Sequence, residues 1–116
     1  MTRIVLTLHT ILIGLIGLSF TIYPTLLLKG DAFFTVMTRS FGVSCVAMSV
    51  LSASLLTMEG HKYVKQVGLA TLTFFHFGLS IVQTMGWLES VSPFAFTLIH
   101  LVFFVLMFFL TMKYYK

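Results

Sequence analysis

Hydrophobic and polar positions alternate along the chain in long blocks. Four apolar stretches, residues 4–23, 32–58, 67–88 and 94–112, are separated by short polar segments that hold most of the charged residues. A helix of about 20 apolar residues crosses a bilayer. The pattern therefore predicts an all-α integral membrane protein, a four-transmembrane-helix bundle formed as one domain over residues 1–116.

Prolines mark two of the predicted helix ends. Pro24 follows the first stretch and cannot continue its hydrogen-bond ladder. Pro93 precedes the fourth stretch and suits the first position of a helix. The first stretch, Ile4–Tyr23, is longer than the apolar region of a signal peptide and lacks a clear small-x-small cleavage site, so we predict a retained helix.

The composition leaves no room for a soluble domain. Hydrophobic residues make up 59% of the chain and charged residues 9%, whereas soluble domains carry about 25% charged residues. The net charge is +4, but the cations are scattered, so no nucleic-acid-binding surface is predicted. With Cys45 as the only cysteine, neither an intrachain disulfide nor a thiolate metal site can form.

The distribution of cations predicts the orientation. With four spans, the larger group falls on the side of the two termini: Arg3, Lys62, Lys65, Lys113 and Lys116. Lys29 and, at its edge, Arg39 fall on the opposite side. Because cytoplasmic segments carry the excess of Lys and Arg, both termini are predicted to be cytoplasmic. The pattern does not indicate which membrane the protein occupies.

Small residues mark the predicted helix-packing faces. Gly14 and Gly17 belong to one narrow stripe on the first helix, and Gly42 and Ser44 belong to a similar set on the second. Small side chains at an interface allow two membrane helices to approach closely. The same small residues would also allow the protein to associate with further copies of itself or with other membrane proteins, and we predict both modes of assembly.

Arg39 is the least expected residue, because it lies roughly 10 Å into an apolar helix, where a charge costs a few kcal/mol without acceptors. Gln83 and His100 fall at a similar depth, and His76 and Trp87 share the polar face of the third helix. One hypothesis is a polar pocket here for an anionic or carbonyl-bearing ligand or a lipid headgroup. The other, which the frequency of structural ion pairs favours, is that Asp31, Glu89, Gln83 or helix-end carbonyls satisfy Arg39, which then only fixes helix packing.

No cofactor or metal site is predicted, although the four histidines invite a haem interpretation. His76 lies near the middle of its helix and His100 in the outer third of the next, a depth difference of roughly 8 Å that is awkward for two ligands of one haem. Haem binding stays open as an alternative. Catalytic motifs are not evident, which favours a non-enzymatic role. Small multidrug transporters are of similar size, but the carboxylate that they need on the first helix is missing.

The overall plan resembles that of the DoxX-like small four-helix membrane proteins. The similarity comprises a first helix closed by Pro24, a second helix with the segment TRSFG that contains Arg39 and Gly42, and two further spans with short loops. The resemblance implies a compact four-helix bundle that is a membrane partner of a redox or assembly system. It implies no catalytic residue.

From these features we expect a multi-pass membrane protein with a non-catalytic accessory, assembly or scaffold role. One alternative is a binder or carrier of a lipid-like, quinone or anionic ligand in the pocket near Arg39. Another is a redox subunit that holds haem through His76 or His100. The predicted partners are the lipid bilayer and other membrane proteins or further copies of the chain.

Overall fold

Four long helices make up most of the protein. The computed structural model describes residues 1–27, 32–58, 60–90 and 92–115. Its helices are α1 (Thr2–Ile22), α2 (Pro24–Leu27), α3 (Ala32–Thr57), α4 (Lys62–Leu88) and α5 (Phe94–Tyr115). All but the short α2 are long and apolar enough to cross a membrane. The structure thus confirms an all-α protein with four candidate membrane spans.

Two helices extend by several residues beyond the apolar stretches that predict them, whereas α1 and α3 match theirs within two residues. Helix α4 begins at Lys62 instead of residue 67, and α5 ends at Tyr115 instead of residue 112. Hydrophobicity marks only the part of a helix suited to lipid, whereas the backbone stays helical until a residue breaks it. Before α4 that residue is Gly60, whose φ of 89° is readily adopted only by glycine.

The first helix ends beside Pro24, and a one-turn helix follows. Helix α1 ends at Ile22, and Tyr23 leaves the helical region with φ −124° and ψ 64°. A residue before proline is pushed out of the α region by the proline ring. Pro24 then begins α2, a position for which its fixed φ is suited. The sequence pattern did not indicate this short helix.

The chain divides into two compact units, Arg3–Thr57 and Met58–Lys116. The N-terminal helix pair contains α1 and α3, joined through α2, and the C-terminal helix pair contains α4 and α5. That the two pairs form one membrane domain stays a prediction.

Glycines bring α1 and α3 into backbone contact in the N-terminal helix pair. A Cβ built on Gly17 would lie 2.8 Å from the Gly42 carbonyl oxygen, and one on Gly42 would lie 2.7 Å from the Gly17 carbonyl oxygen. Gly14 faces Ser49, whose Oγ would be 2.8 Å from an added Cβ. Ser44 is exposed on the other side of α3, and its hydroxyl donates to the Ser40 carbonyl at 3.0 Å.

Polar contacts and rings join the same two helices. The Ser49 hydroxyl donates to the Thr10 carbonyl at 2.7 Å, and the Phe20 and Phe41 rings meet edge to face with centroids 5.5 Å apart. The α1–α3 contact is therefore made by small residues where the backbones touch and by an aromatic pair nearer the connection.

The C-terminal helix pair is antiparallel. At one end the Gln66 amide donates to the Tyr114 carbonyl, and at the other the Trp87 and Phe94 rings lie 5.0 Å apart. The reversal uses Ser90, whose φ of 59° is left-handed. This conformation is common just after a helix C-terminus.

Candidate functional site

Two buried histidines form a direct hydrogen bond at the contact between α4 and α5. The Nδ1 atoms of His76 and His100 are 3.0 Å apart, and the two residues are 0% and 1% exposed. In such a bond one imidazole donates from Nδ1–H while the other accepts through its Nδ1 lone pair. One ring is therefore protonated at Nδ1 and the other is not, although both are histidines.

Two aromatic residues pack against the His76 ring. Phe103 stacks on His76 with centroids 5.3 Å apart and an interplanar angle of 29°. Phe75 meets the His76 ring edge-on, with centroids 5.3 Å apart. Farther along the same helix contact, the Thr73 and Thr111 hydroxyls are hydrogen-bonded at 3.0 Å. Polar groups thus pair with one another across a contact that is otherwise apolar.

The predicted depth difference between His76 and His100 is wrong, and the connection between the helices explains why. The Ser92 amide donates to the Gly86 carbonyl at 3.1 Å, and its hydroxyl donates to the Gln83 carbonyl at 3.2 Å. The chain therefore runs back along α4 before α5 begins. Because α5 starts beside the last turns of α4 and not beyond them, His100 lies level with His76.

The histidine pair as it stands has no space for a haem between its rings. Metal–imidazole bonds are about 2 Å long, so two axial nitrogens would lie roughly 4 Å apart on opposite faces of the porphyrin. The observed nitrogens are in direct contact at 3.0 Å. Haem ligation by both residues would require the pair to open.

Gln83 and Trp87 lie toward the α4–α5 connection. The Gln83 side chain is half-buried, and its backbone carbonyl accepts the Ser92 hydroxyl. Trp87 is 44% exposed and packs on Phe94. An aromatic pair at the end of an apolar helix pair is typical of the membrane interface.

Arg39 lies on the exposed side of α3. Its side chain makes no hydrogen bond or ion pair to another residue that the structure describes. Its predicted neighbours Lys29 and Asp31 lie outside the described residues. Since Arg39 belongs to the N-terminal helix pair and Gln83 and His100 to the other, the shared pocket stays a prediction.

The N-terminal helix pair has a histidine contact that the sequence did not single out. His9 is fully buried, and its Nδ1 is hydrogen-bonded to the Ser52 hydroxyl at 2.6 Å. Ser52 lies on the same side of α3 as Gly42, and this placement was the one available signal. In each helix pair a buried histidine is therefore held by a residue of the facing helix.

A groove runs along the C-terminal helix pair near the α4–α5 connection. It has a volume of about 250 Å³ and is lined by three hydroxyl residues and three apolar ones: Ser80, Thr84, Thr97, Ile81, Met85 and Leu101. Thr97 is only 6% exposed, and its Oγ1 is the one buried side-chain polar atom without a hydrogen-bond partner among the described residues. Sequence reasoning did not identify Thr97 as a site residue.

The described part of the chain contains no cluster of three or more His, Cys, Asp and Glu side chains arranged to hold a metal. Cys45 is a buried free thiol. Neither observation points to a metal centre in residues 1–27, 32–58, 60–90 and 92–115.

Comparison with known protein families, with curated proteins and with solved structures gives no match. The resemblance to the DoxX-like proteins therefore stays a prediction.

Proposed function

We propose that the protein is a multi-pass integral membrane protein with both termini on the cytoplasmic side. Support comes from the four apolar helices, in whose most apolar windows only 28% to 33% of the residues are buried. Many of the remaining residues present large apolar side chains to the surroundings, among them Leu15, Val43, Val82 and Phe109. Exposed apolar surface of this extent is unfavourable in water and suits a bilayer. The orientation rests on the cation distribution.

Within the membrane we propose a non-catalytic accessory or assembly role, in which α3 docks on another membrane protein. The observation that carries this proposal is the exposed side of α3, which combines a charge with small residues. We define the α3 face as Arg39, Ser40, Ser44 and Ala47, all of which are exposed.

The small residues of the α3 face suit contact with a further helix. Ser40 and Ser44 donate their hydroxyls to the Val36 and Ser40 carbonyls of the same helix, each at 3.0 Å. Their side chains therefore leave no unpaired donor and form a shallow surface. Close backbone approach over small residues stabilises helix association in lipid, as the Gly17–Gly42 contact on the buried side of α3 illustrates.

Arg39 supplies the specificity of the proposed contact. A guanidinium about 10 Å from the start of a spanning helix costs a few kcal/mol unless it meets acceptors. A carboxylate or a helix-end carbonyl of the partner would satisfy it, and a bidentate carboxylate would do so best. The proposed partner is therefore a membrane protein with an acidic side chain in the corresponding leaflet.

A photo-crosslinking amino acid at Ala47 tests the proposal in native membranes. We expect one discrete protein adduct, which Arg39→Gln reduces at least about 5-fold, because the loss of roughly 1 kcal/mol changes binding by that factor. Ser44→Leu should abolish the adduct by filling the small-residue surface.

Two controls match these changes. The same probe at Leu15, which is exposed on α1, should label lipid, and Lys113→Gln removes a charge outside the predicted span without touching α3. Docking through α3 would be contradicted by adducts of equal yield at Leu15 and Ala47, or by an adduct whose yield is unchanged in Arg39→Gln. An adduct with the mass of two chains would identify the partner as a second copy.

A binder or carrier of a lipid-like molecule is the second candidate, and a separate observation favours it: the groove beside Thr97. The haem-binding alternative has weaker support, because ligation of one haem by both histidines needs the His76–His100 contact to open.

A further inference from the structure

Thr97 is unusual among the buried threonines of the described helices because its hydroxyl has no acceptor. Thr10, Thr84 and Thr111 each donate to the carbonyl four residues earlier, at 2.6 to 2.8 Å. The corresponding carbonyl for Thr97 is that of Pro93, which instead accepts the Phe96 amide at 3.1 Å. A buried hydroxyl without a partner is costly.

The groove beside Thr97 offers space for an acceptor. Its other hydroxyls, on Ser80 and Thr84, already donate to the Phe77 and Ser80 carbonyls. Thr97 lines the groove beside them, and it alone of the three has a hydroxyl without a hydrogen-bond partner among the described residues. The walls are otherwise apolar, with Ile81, Met85 and Leu101 half-exposed along them.

Depth limits what can fill the groove. Thr97 is one turn into α5, about 5 Å from Phe94 along the helix axis. Phe94 packs on Trp87, and such aromatic residues lie at the headgroup level. Thr97 therefore lies just below the headgroups, where glycerolipids carry their ester groups.

The shape and lining of the groove suit an extended hydrocarbon chain. The groove is open along the helix pair, and Ile81, Met85 and Leu101 supply its apolar walls.

We propose that this groove binds an acyl chain of a membrane glycerolipid, whose ester carbonyl accepts a hydrogen bond from Thr97. The proposal rests on the membrane insertion proposed above and is independent of docking through the α3 face. It assigns Thr97 as the residue that selects an ester-linked lipid, with Ile81, Met85 and Leu101 in contact with the chain.

Native mass spectrometry of the full chain in detergent tests this selection. A diacyl phosphatidylcholine is compared with its dialkyl ether analogue, which has the same headgroup but no carbonyl. We expect the ester lipid to bind roughly 2- to 10-fold more tightly, the effect of one net hydrogen bond. Thr97→Val should remove the preference, and Thr97→Ser should keep it.

Thr71→Val is the matched control, because Thr71 is exposed on α4 and donates to the Val67 carbonyl, outside the groove. Infrared spectra of lipid with ¹³C-labelled ester carbonyls give a second measurement. A carbonyl band shifted to lower frequency should appear with the wild type and Thr71→Val and be lost with Thr97→Val.

Three outcomes would overturn the proposal: equal binding of the two lipids by the wild type, an ester preference that survives Thr97→Val, or no shifted carbonyl band. Equally tight binding of ester, ether and quinone probes would show a non-selective amphiphile groove and also contradict it. Flotation with liposomes separates the two proposals. A protein that does not float contradicts membrane insertion itself, whereas one that floats without ester preference contradicts only the lipid site.

Discussion

The His76 and His100 imidazoles are bonded to each other at a place where water does not reach. Both side chains are at most 1% exposed, so a ring that loses its partner cannot regain the bond from solvent. A buried polar group left without its partner costs more than the net value of the bond. The effect of replacing one histidine on the free energy of unfolding is therefore expected to depend strongly on whether the other is present.

We predict that His76→Phe and His100→Phe each lower the free energy of unfolding by about 1–3 kcal/mol, because the remaining histidine loses its Nδ1 partner. Phenylalanine retains an aromatic ring and avoids a large cavity. The double variant should be less destabilised than the sum of the single variants by at least about 0.5 kcal/mol. Unfolding titrations in mixed micelles measure all three values, and strictly additive effects would argue against the coupling.

For single residues, the sequence identifies which side chains are candidates for a site but not which residues they contact. His76 and His100 were recognised as candidate site residues, yet their contact depends on how the segment after Leu88 returns along α4. That return is set by Ser92 and its bonds to the Gln83 and Gly86 carbonyls. Apolar patterning carries no information about such bonds, and so the depth estimate was wrong.

Among the helices, the contact between α1 and α3 depends on the absence of side chains at two positions. An added Cβ at Gly17 or Gly42 would lie 2.7 to 2.8 Å from backbone atoms of the facing helix. Backbone atoms cannot move aside as a flexible side chain does, so the helices themselves would have to separate.

We predict that Gly17→Ala and Gly42→Ala each destabilise the N-terminal helix pair by about 1–3 kcal/mol, the usual cost of overpacking. Gly78→Ala on α4 is the matched control, since no heavy atom of a neighbouring element lies within 4 Å of the position that the added methyl group would take. There alanine should be neutral or stabilising by up to about 1 kcal/mol. Equal effects at all three glycines would show that helix propensity, and not close approach, determines the outcome.

The sequence was most informative about the helices themselves. Long apolar stretches and two prolines indicated the four spans, since the length needed to cross a bilayer leaves few alternatives. Small residues indicated a packing stripe, but they did not tell which side of α3 meets α1. Gly42 lies at that contact, whereas Ser44 is on the exposed side, because neighbouring small residues on a helix point in different directions.

For the whole chain, the orientation depends on charge while the number of spans depends on apolar length. An even number of spans places both termini on one side, whatever that side is. The proposed cytoplasmic side rests on the cations, because Lys and Arg near the spans are retained in the cytoplasm. The proposed orientation and the proposed number of spans are separable by experiment.

One set of cysteine variants tests both the orientation of the termini and the number of spans. In a Cys45→Ala background we expect an impermeant maleimide to label Glu89→Cys on intact cells, since Glu89 is exposed at the end of α4. His61→Cys and Tyr115→Cys, exposed before α4 and at the end of α5, should react only after permeabilisation. The reversed pattern would contradict the cytoplasmic orientation but keep four spans. Labelling of His61→Cys and Tyr115→Cys from opposite sides would contradict the crossing of both α4 and α5, because two consecutive spans return the chain to the side from which it entered.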